Sequence, residues 1–178
     1  RMFLSQEKSV AALATKLGLD SINTQRTQTP MQAGTKLSKN DCPATPAEKA
    51  KLRSEQTAYR SQQASTNYFA GFTRPDMAQA SSAHARYMHN PGHSHIKSLK
   101  SMIRYLISTK HLGLLYDFFT NNPNRNRGMY GYYDASLGDC PDTKRSTIGF
   151  VMYWNGCPIS WRSKLHPFVS TNINHAEY

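Results

Sequence analysis

Two acids have surroundings that could do chemistry. Asp134 follows a run of small and aromatic residues, Tyr130-Gly131-Tyr132-Tyr133. An acid inside or at the rim of a strand costs desolvation unless it is paired or bound to a cation. Asp134 is therefore either a metal ligand or a strand-end turn former helped by Gly138-Asp139. Glu177 stands three residues after Asn174, the capping-box spacing with Asn as cap. It either caps a helix or shares a divalent ion with Asp134, and hard oxygen ligands then select Mg²⁺ or Mn²⁺. Five of the seven histidines fall between His84 and His111, and His93-x-His95 admits a metal reading beside a surface or phosphate-facing one. From Asp76 to Asp117 there is no acid, while Arg86, Lys97, Lys100, Arg104 and Lys110 all carry positive charge, and Arg125 and Arg127 extend the run. Such a run is either a solvated helix face or a phosphate-binding surface.

The whole chain repeats that imbalance. Its 178 residues hold 22 Lys+Arg against 11 Asp+Glu, a net charge of +11 that favours a polyanionic partner. Apolar content is 38%, below the ~45–50% usual for globular chains. No apolar run approaches the ~18 residues of a membrane span, and no signal peptide is visible, so an intracellular location is expected. Cys42, Cys140 and Cys157 are an odd number and none lies in a CxxC spacing, which excludes a zinc ribbon and makes a reducing compartment the default. Neither a dinucleotide or P-loop glycine motif nor a GxSxG elbow is present.

The elements that must position these residues are mostly legible. Ser5 as N-cap, Glu7 in the first turn, Val10, Leu13 and Leu17 at helical spacing, and Gly18 beyond them define a first helix. Residues 20–57 are polar, with Pro30, Pro43 and Pro46, and read as a linker or extended arm with room for a short helix over Pro46–Thr57. Thr73-Arg74-Pro75-Asp76 starts a helix that Asn90-Pro91-Gly92 stops. Ile96, Leu99, Ile103 and Leu106 mark the clearest helix, with Gly113 just past its end. The period then changes to two. Met129–Ala135, Ile148–Trp154 and Cys157–Arg162 read as strands, the last two joined by Asn155-Gly156, a tight hairpin signal. The fold class expected is α+β.

Read in order, the phrases Leu4-Ser5-Gln6, Thr29-Pro30-Met31, Tyr59-Arg60-Ser61, Thr73-Arg74-Pro75-Asp76, Arg86-Tyr87-Met88-His89-Asn90-Pro91, Arg104-Tyr105-Leu106 and Gly113-Leu114 resemble Pol polyproteins of Ty1/copia-type LTR retrotransposons. Asp134-Ala135, Cys140-Pro141-Asp142-Thr143, Arg145-Ser146-Thr147, Pro158-Ile159-Ser160-Trp161 and Ala176-Glu177-Tyr178 continue the likeness. It covers the C-terminal part of the reverse transcriptase and the start of ribonuclease H. What it implies is an end of the palm and thumb helix at 1–19, the arm at 20–57, a helical connection region at 58–125, and at 126–178 the N-terminal half of a ribonuclease H-like domain with a three-stranded antiparallel meander. Ribonuclease H holds two Mg²⁺ ions on acidic residues. Asp134 matches the family's first metal-binding Asp and Glu177 its metal-binding Glu. The partners implied are an RNA–DNA hybrid or other nucleic acid and the rest of the Pol polyprotein, with no membrane.

The departures set the expectation for activity. The polymerase's aspartate pair and the later ribonuclease H acids are absent, and Ser136-Leu137 stands where the family has Asp-Trp. Gln62-Gln63 and Thr66-Asn67 replace what in the family is an apolar helix, which implies weaker packing against the palm. The expectation is a polyprotein fragment whose ancestral role is reverse transcription with degradation of the RNA strand, inactive alone. The alternative is a non-enzymatic basic nucleic-acid-binding module.

Overall fold

The computed structural model describes residues 1–19, 27–117 and 128–172. Strand β1 (Met2–Leu4) leads into helix α1 (Glu7–Leu17). Gln6, not Ser5, is the residue that caps α1, and its side chain is drawn away to accept a hydrogen bond from Thr73 Oγ1 at 2.7 Å. Gly18 adopts φ 65°, and the Gly18 and Leu19 amides close the last turn on Thr15 and Ala14.

Helix α2 runs over Pro46–Phe72 and so passes straight through position 57, where the arm was expected to end. Pro46 begins it, and Thr45 and Glu48 form a reciprocal capping box. Its inward positions Gln56, Tyr59, Gln63, Thr66 and Ala70 recur at i, i+3, i+7, i+10 and i+14. Three of the five are polar, and one of them, Gln56, lies in the stretch that composition read as arm with room for a short helix. Gln63 and Thr66 are accommodated within this chain's own core. Both are fully buried, with Gln63 Nε2 donating to the Ser81 carbonyl at 2.8 Å and Thr66 Oγ1 to the Gln63 carbonyl at 3.0 Å. A buried polar group satisfied in this way carries little desolvation penalty.

A 3₁₀ turn at Pro75–Met77 precedes α3 (Ala78–Ala85), which ends five residues before Asn90. The chain tightens there into i to i+3 turns while Tyr87 donates its hydroxyl to the Leu37 carbonyl at 2.6 Å. Helix α4 (His93–Ser108) buries Ile96, Leu99, Ile103 and Leu106 as its spacing predicts, joined by Met102 and by Met77 in the core between α2 and α4. The helix stops at Thr109. Gly113 serves instead the pairing of β1 with β2 (Leu114–Tyr116), since a Cβ there would collide with the Leu4 carbonyl. That two-stranded sheet was not anticipated.

Strands β3 (Met129–Ser136), β4 (Thr147–Trp154) and β5 (Cys157–Leu165) form an antiparallel meander in that order. Asn155 and Gly156 both take positive φ, 48° and 75°, in the hairpin that joins the last two. The meander is tied to the helices by Trp161 Nε1, which donates to the Ala70 carbonyl at 2.7 Å, and to β2 by Tyr116 Oη, which donates to the Pro158 carbonyl at 2.9 Å. Residues 27–45 wrap between the two parts. Asp142 accepts from Ser38 Oγ, the Lys39 amide and Tyr87 Oη at 2.8, 2.9 and 3.0 Å. The architecture is α+β, with no disulfide among the three cysteines and no helix among the described residues long and apolar enough to cross a membrane.

Candidate functional site

Strand alternation puts Tyr132, Asp134 and Ser136 of β3 on one face of the sheet. On β4 and β5 their cross-strand partners are Val151 and Trp161, Gly149 and Ser163, and Thr147 and Leu165. This face looks across a cleft of about 520 Å³ to Pro75, Ala78 and Gln79 at the start of α3. Asp134 is exposed within it, and among the described residues no hydrogen bond or ion pair reaches its carboxylate. Asp139 lines the same cleft but accepts from Thr147 Oγ1 at 2.8 Å. Glu177 and Asn174, and with them the question of a shared cation, lie outside the described residues, as do Arg125 and Arg127. Among the described residues no three His, Cys, Asp or Glu side chains are grouped to hold a metal. Two divalent ions need several oxygen ligands each, and among the described residues Asp134 by itself does not supply them.

The histidine pair does not converge. His93 is exposed, whereas His95 is fully buried, accepts the Gly92 amide on Nδ1 at 3.0 Å and stacks on Tyr87 at 4.2 Å. His84 is also buried, with Nδ1 on the Ala80 carbonyl at 2.7 Å and Nε2 on Ser98 Oγ at 3.0 Å. Burial pushes the pKa of both rings down. These two are core histidines rather than ligands.

The five cations flagged by the charge run separate into three places. Lys97, Lys100 and Arg104, at i, i+3 and i+7, share the outer side of α4, the lysines exposed and the arginine half-buried. Lys110 lies past the helix, 4.0 Å from Glu7. Arg86 lies off that helix altogether. It reaches the sheet, donating Nη2 to Thr147 Oγ1 at 3.0 Å.

Sequence reasoning passed over the aromatic side of the cleft. Tyr130, Tyr132 and Tyr153 form one cluster, with Tyr130 and Tyr153 stacked at 5.2 Å and Tyr132 edge-on to Tyr153 at 6.1 Å. The two-residue spacing of Tyr130 and Tyr132 was the available signal, because it commits both to one face. Missed as well was Arg74, buried at 2% exposure, which grips Asp76 and Thr109.

Comparison with known proteins gives the chain its relatives. It is 33% identical over its whole length to a retrovirus-related Pol polyprotein from transposon TNT 1-94 of Nicotiana tabacum, of which it spans 13%. It is 34% identical over 141 residues, 76% of the chain, to the Pol polyprotein from transposon RE1 of Arabidopsis thaliana, of which those residues make up 9%. A third relative, secreted RxLR effector protein 161 of Plasmopara viticola, is 34% identical over 111 residues, which are 62% of this chain and 75% of that protein. No family model matches, and no solved structure matches. One Pol match runs from end to end of the chain and another over three quarters of it, so the chain is similar to a short stretch of transposon Pol polyproteins, 13% and 9% of their lengths.

Proposed function

We propose that this chain is the stretch of a Ty1/copia-type Pol polyprotein in which the helical region after the reverse transcriptase palm passes into ribonuclease H. On this reading it binds nucleic acid through the outer side of α4 and by itself cleaves nothing. The observation that carries the binding is the Lys97, Lys100 and Arg104 stripe, set in a segment without a single acid from residue 77 to 116. Nothing nearby in sequence offsets its charge, so a phosphate backbone is its natural counterion. Asp134 and Glu177 remain the carboxylates through which the parent nuclease holds Mg²⁺ or Mn²⁺. The described residues do not complete such a site, and no cleavage step is derived from them.

The test is anisotropy of a labelled RNA–DNA hybrid over a range of salt concentrations. Each neutralised phosphate steepens the dependence of log K on log salt by about 0.9, so replacing Lys97, Lys100 and Arg104 together by Gln flattens it by about 2.7. Binding that is absent at low salt, or unchanged in the triple variant, removes this reading. With Mg²⁺ present the hybrid stays intact; cleavage abolished by Asp134→Asn removes the claim of inactivity.

A further inference from the structure

The cleft beside Asp134 has a floor made by a missing side chain. Gly149 lies at the centre of the meander, between Asp134 and Ser163 in one cross-strand row. Among the described residues a Cβ on Gly149 would meet nothing nearer than the Arg162 carbonyl at 3.8 Å, so they leave the space above it open. The adjacent row, Tyr132, Val151 and Trp161, walls one side with aromatic and apolar surface. That wall is held in place, Tyr132 by its edge contact with Tyr153 and Trp161 by its hydrogen bond to Ala70. The volume of about 520 Å³ falls within the roughly 300–1,000 Å³ of small-molecule sites.

Gln79 and Asp139 line both this cleft and a second recess of about 190 Å³, whose lining also includes Thr35, Lys36 and Arg86 beside apolar residues such as Met31 and Leu37. Its charged groups are Lys36, Arg86 and Asp139, the last with its carboxylate engaged by Thr147. Among the described residues the Arg86 guanidinium makes one hydrogen bond, to Thr147, and its Nε is buried with no hydrogen-bond partner. A buried guanidinium nitrogen left so is costly, and an anion at this recess offsets the cost of the whole group. The groove therefore joins a flat aromatic pocket with a carboxylate at its edge to a small recess with two cations, and Asp139 stands at the junction with its carboxylate held by Thr147.

We propose that this groove binds one nucleotide unit. The base lies over Gly149 against Tyr132 and Trp161, Asp134 accepts from an exocyclic amine, and the phosphate meets Arg86 and Lys36. Stacking on aromatic residues tolerates any base, and the arginine fork suits phosphate oxygens. The groove holds a single unit rather than a duplex, so its ligand is a free nucleotide or the phosphorylated end of a single strand. It is lined by none of the α4 cations, so it does not rest on the nucleic-acid reading above.

Calorimetric titration of the full chain with AMP, adenosine and a 5′-phosphorylated trinucleotide tests this. Gly149→Val fills the hollow with a residue favoured in strands, and should weaken AMP binding by at least about tenfold while leaving the melting temperature in place. Arg86→Gln should weaken AMP by about tenfold and leave adenosine unchanged, with Arg86→Lys in between. That phosphate-selective loss decides the matter if the Gly149 variant does not fold. Tighter binding of AMP marks a free nucleotide as the ligand, and tighter binding of the trinucleotide marks a strand end; either supports the site. The proposal is overturned if neither binds at up to about 10 mM, if Gly149→Val folds and binds as before, or if the α4 triple variant loses AMP binding.

Discussion

Removal of the Arg74 side chain is the sharpest test of how the wall of the cleft is held. Arg74 Nε donates to Asp76 Oδ1 at 2.9 Å and Nη2 to Asp76 Oδ2 at 2.7 Å. The same guanidinium reaches the Thr109 carbonyl at 3.1 Å and Thr109 Oγ1 at 2.7 Å, past the C-terminus of α4, and lies 5.3 Å from the centre of the Tyr105 ring. Tyr105 Oη in turn donates to Asp76 Oδ2 at 2.8 Å. Burial pushes the Asp76 carboxyl up, but the hydrogen bonds and charge of Arg74 outweigh it, and the carboxyl rests below its ordinary range. Arg74→Ala leaves Asp76 with Tyr105 and leaves the Thr109 carbonyl without this donor. Losing one partner of a buried pair costs about 3–5 kcal/mol. The Asp76 side chain is 35% exposed, so water replaces part of what is lost, and about 2–3 kcal/mol is expected. In a chain of this size each kcal/mol moves the melting temperature by about 2–4 °C, giving a fall of about 4–12 °C by circular dichroism. Arg74→Lys keeps the charge without the fork and should lose an intermediate amount. An Arg74→Ala variant that melts within about 1 °C of the parent refutes the reasoning.

Two further outcomes follow from buried groups. His84 and His95 titrate below the ordinary 6.5 chiefly because they are buried; the Ala80 carbonyl opposes this in His84, and Asp41, the Ser38 backbone and Asp142 oppose it in His95. The unfolded chain therefore takes up protons first as the pH falls. Their contribution is present above 6.5 and is lost progressively below it, so the urea midpoint should fall between about pH 7.5 and about pH 5, and a flat profile there contradicts the assignment. At Gly92, where α4 begins, a Cβ would collide with the Asp41 carbonyl, so Gly92→Ala should lift the arm from the helix, cost roughly 1–3 kcal/mol and speed limited proteolysis between residues 27 and 45; an unchanged cleavage pattern and melt would count against that packing.

How far the sequence could be read depended on how local each instruction was. The meander was legible because alternation and the Asn155-Gly156 turn are written within a few residues, and α4 because Ile96, Leu99, Ile103 and Leu106 declare a buried stripe within one helix. The first half of α2 was placed in the arm, with room for only a short helix, because its inward residues there include Gln56, whose partners Asn90 and Pro91 lie on other segments; further on, Gln63 likewise finds its acceptor at Ser81 on α3. Polar side chains announce a core position only once their acceptors are in place. The pairing of β1 with β2 escaped for the same reason, since three-residue strands joined across more than a hundred residues leave no local period.

The chemistry divides along that line. The linear order of residues was enough to mark Asp134 at a strand, the acid-free cationic stretch, and the phrases shared with retrotransposon Pol. It could not tell which of those cations stand together, because residues adjacent in charge pattern part company when a helix ends: Arg86 turns to Thr147 on the sheet, while Lys97, Lys100 and Arg104 stay on α4. Nor could it foresee a groove that opens at Gly149 and closes at Arg86, since its walls come from an arm, a helix and a sheet that meet only through packing.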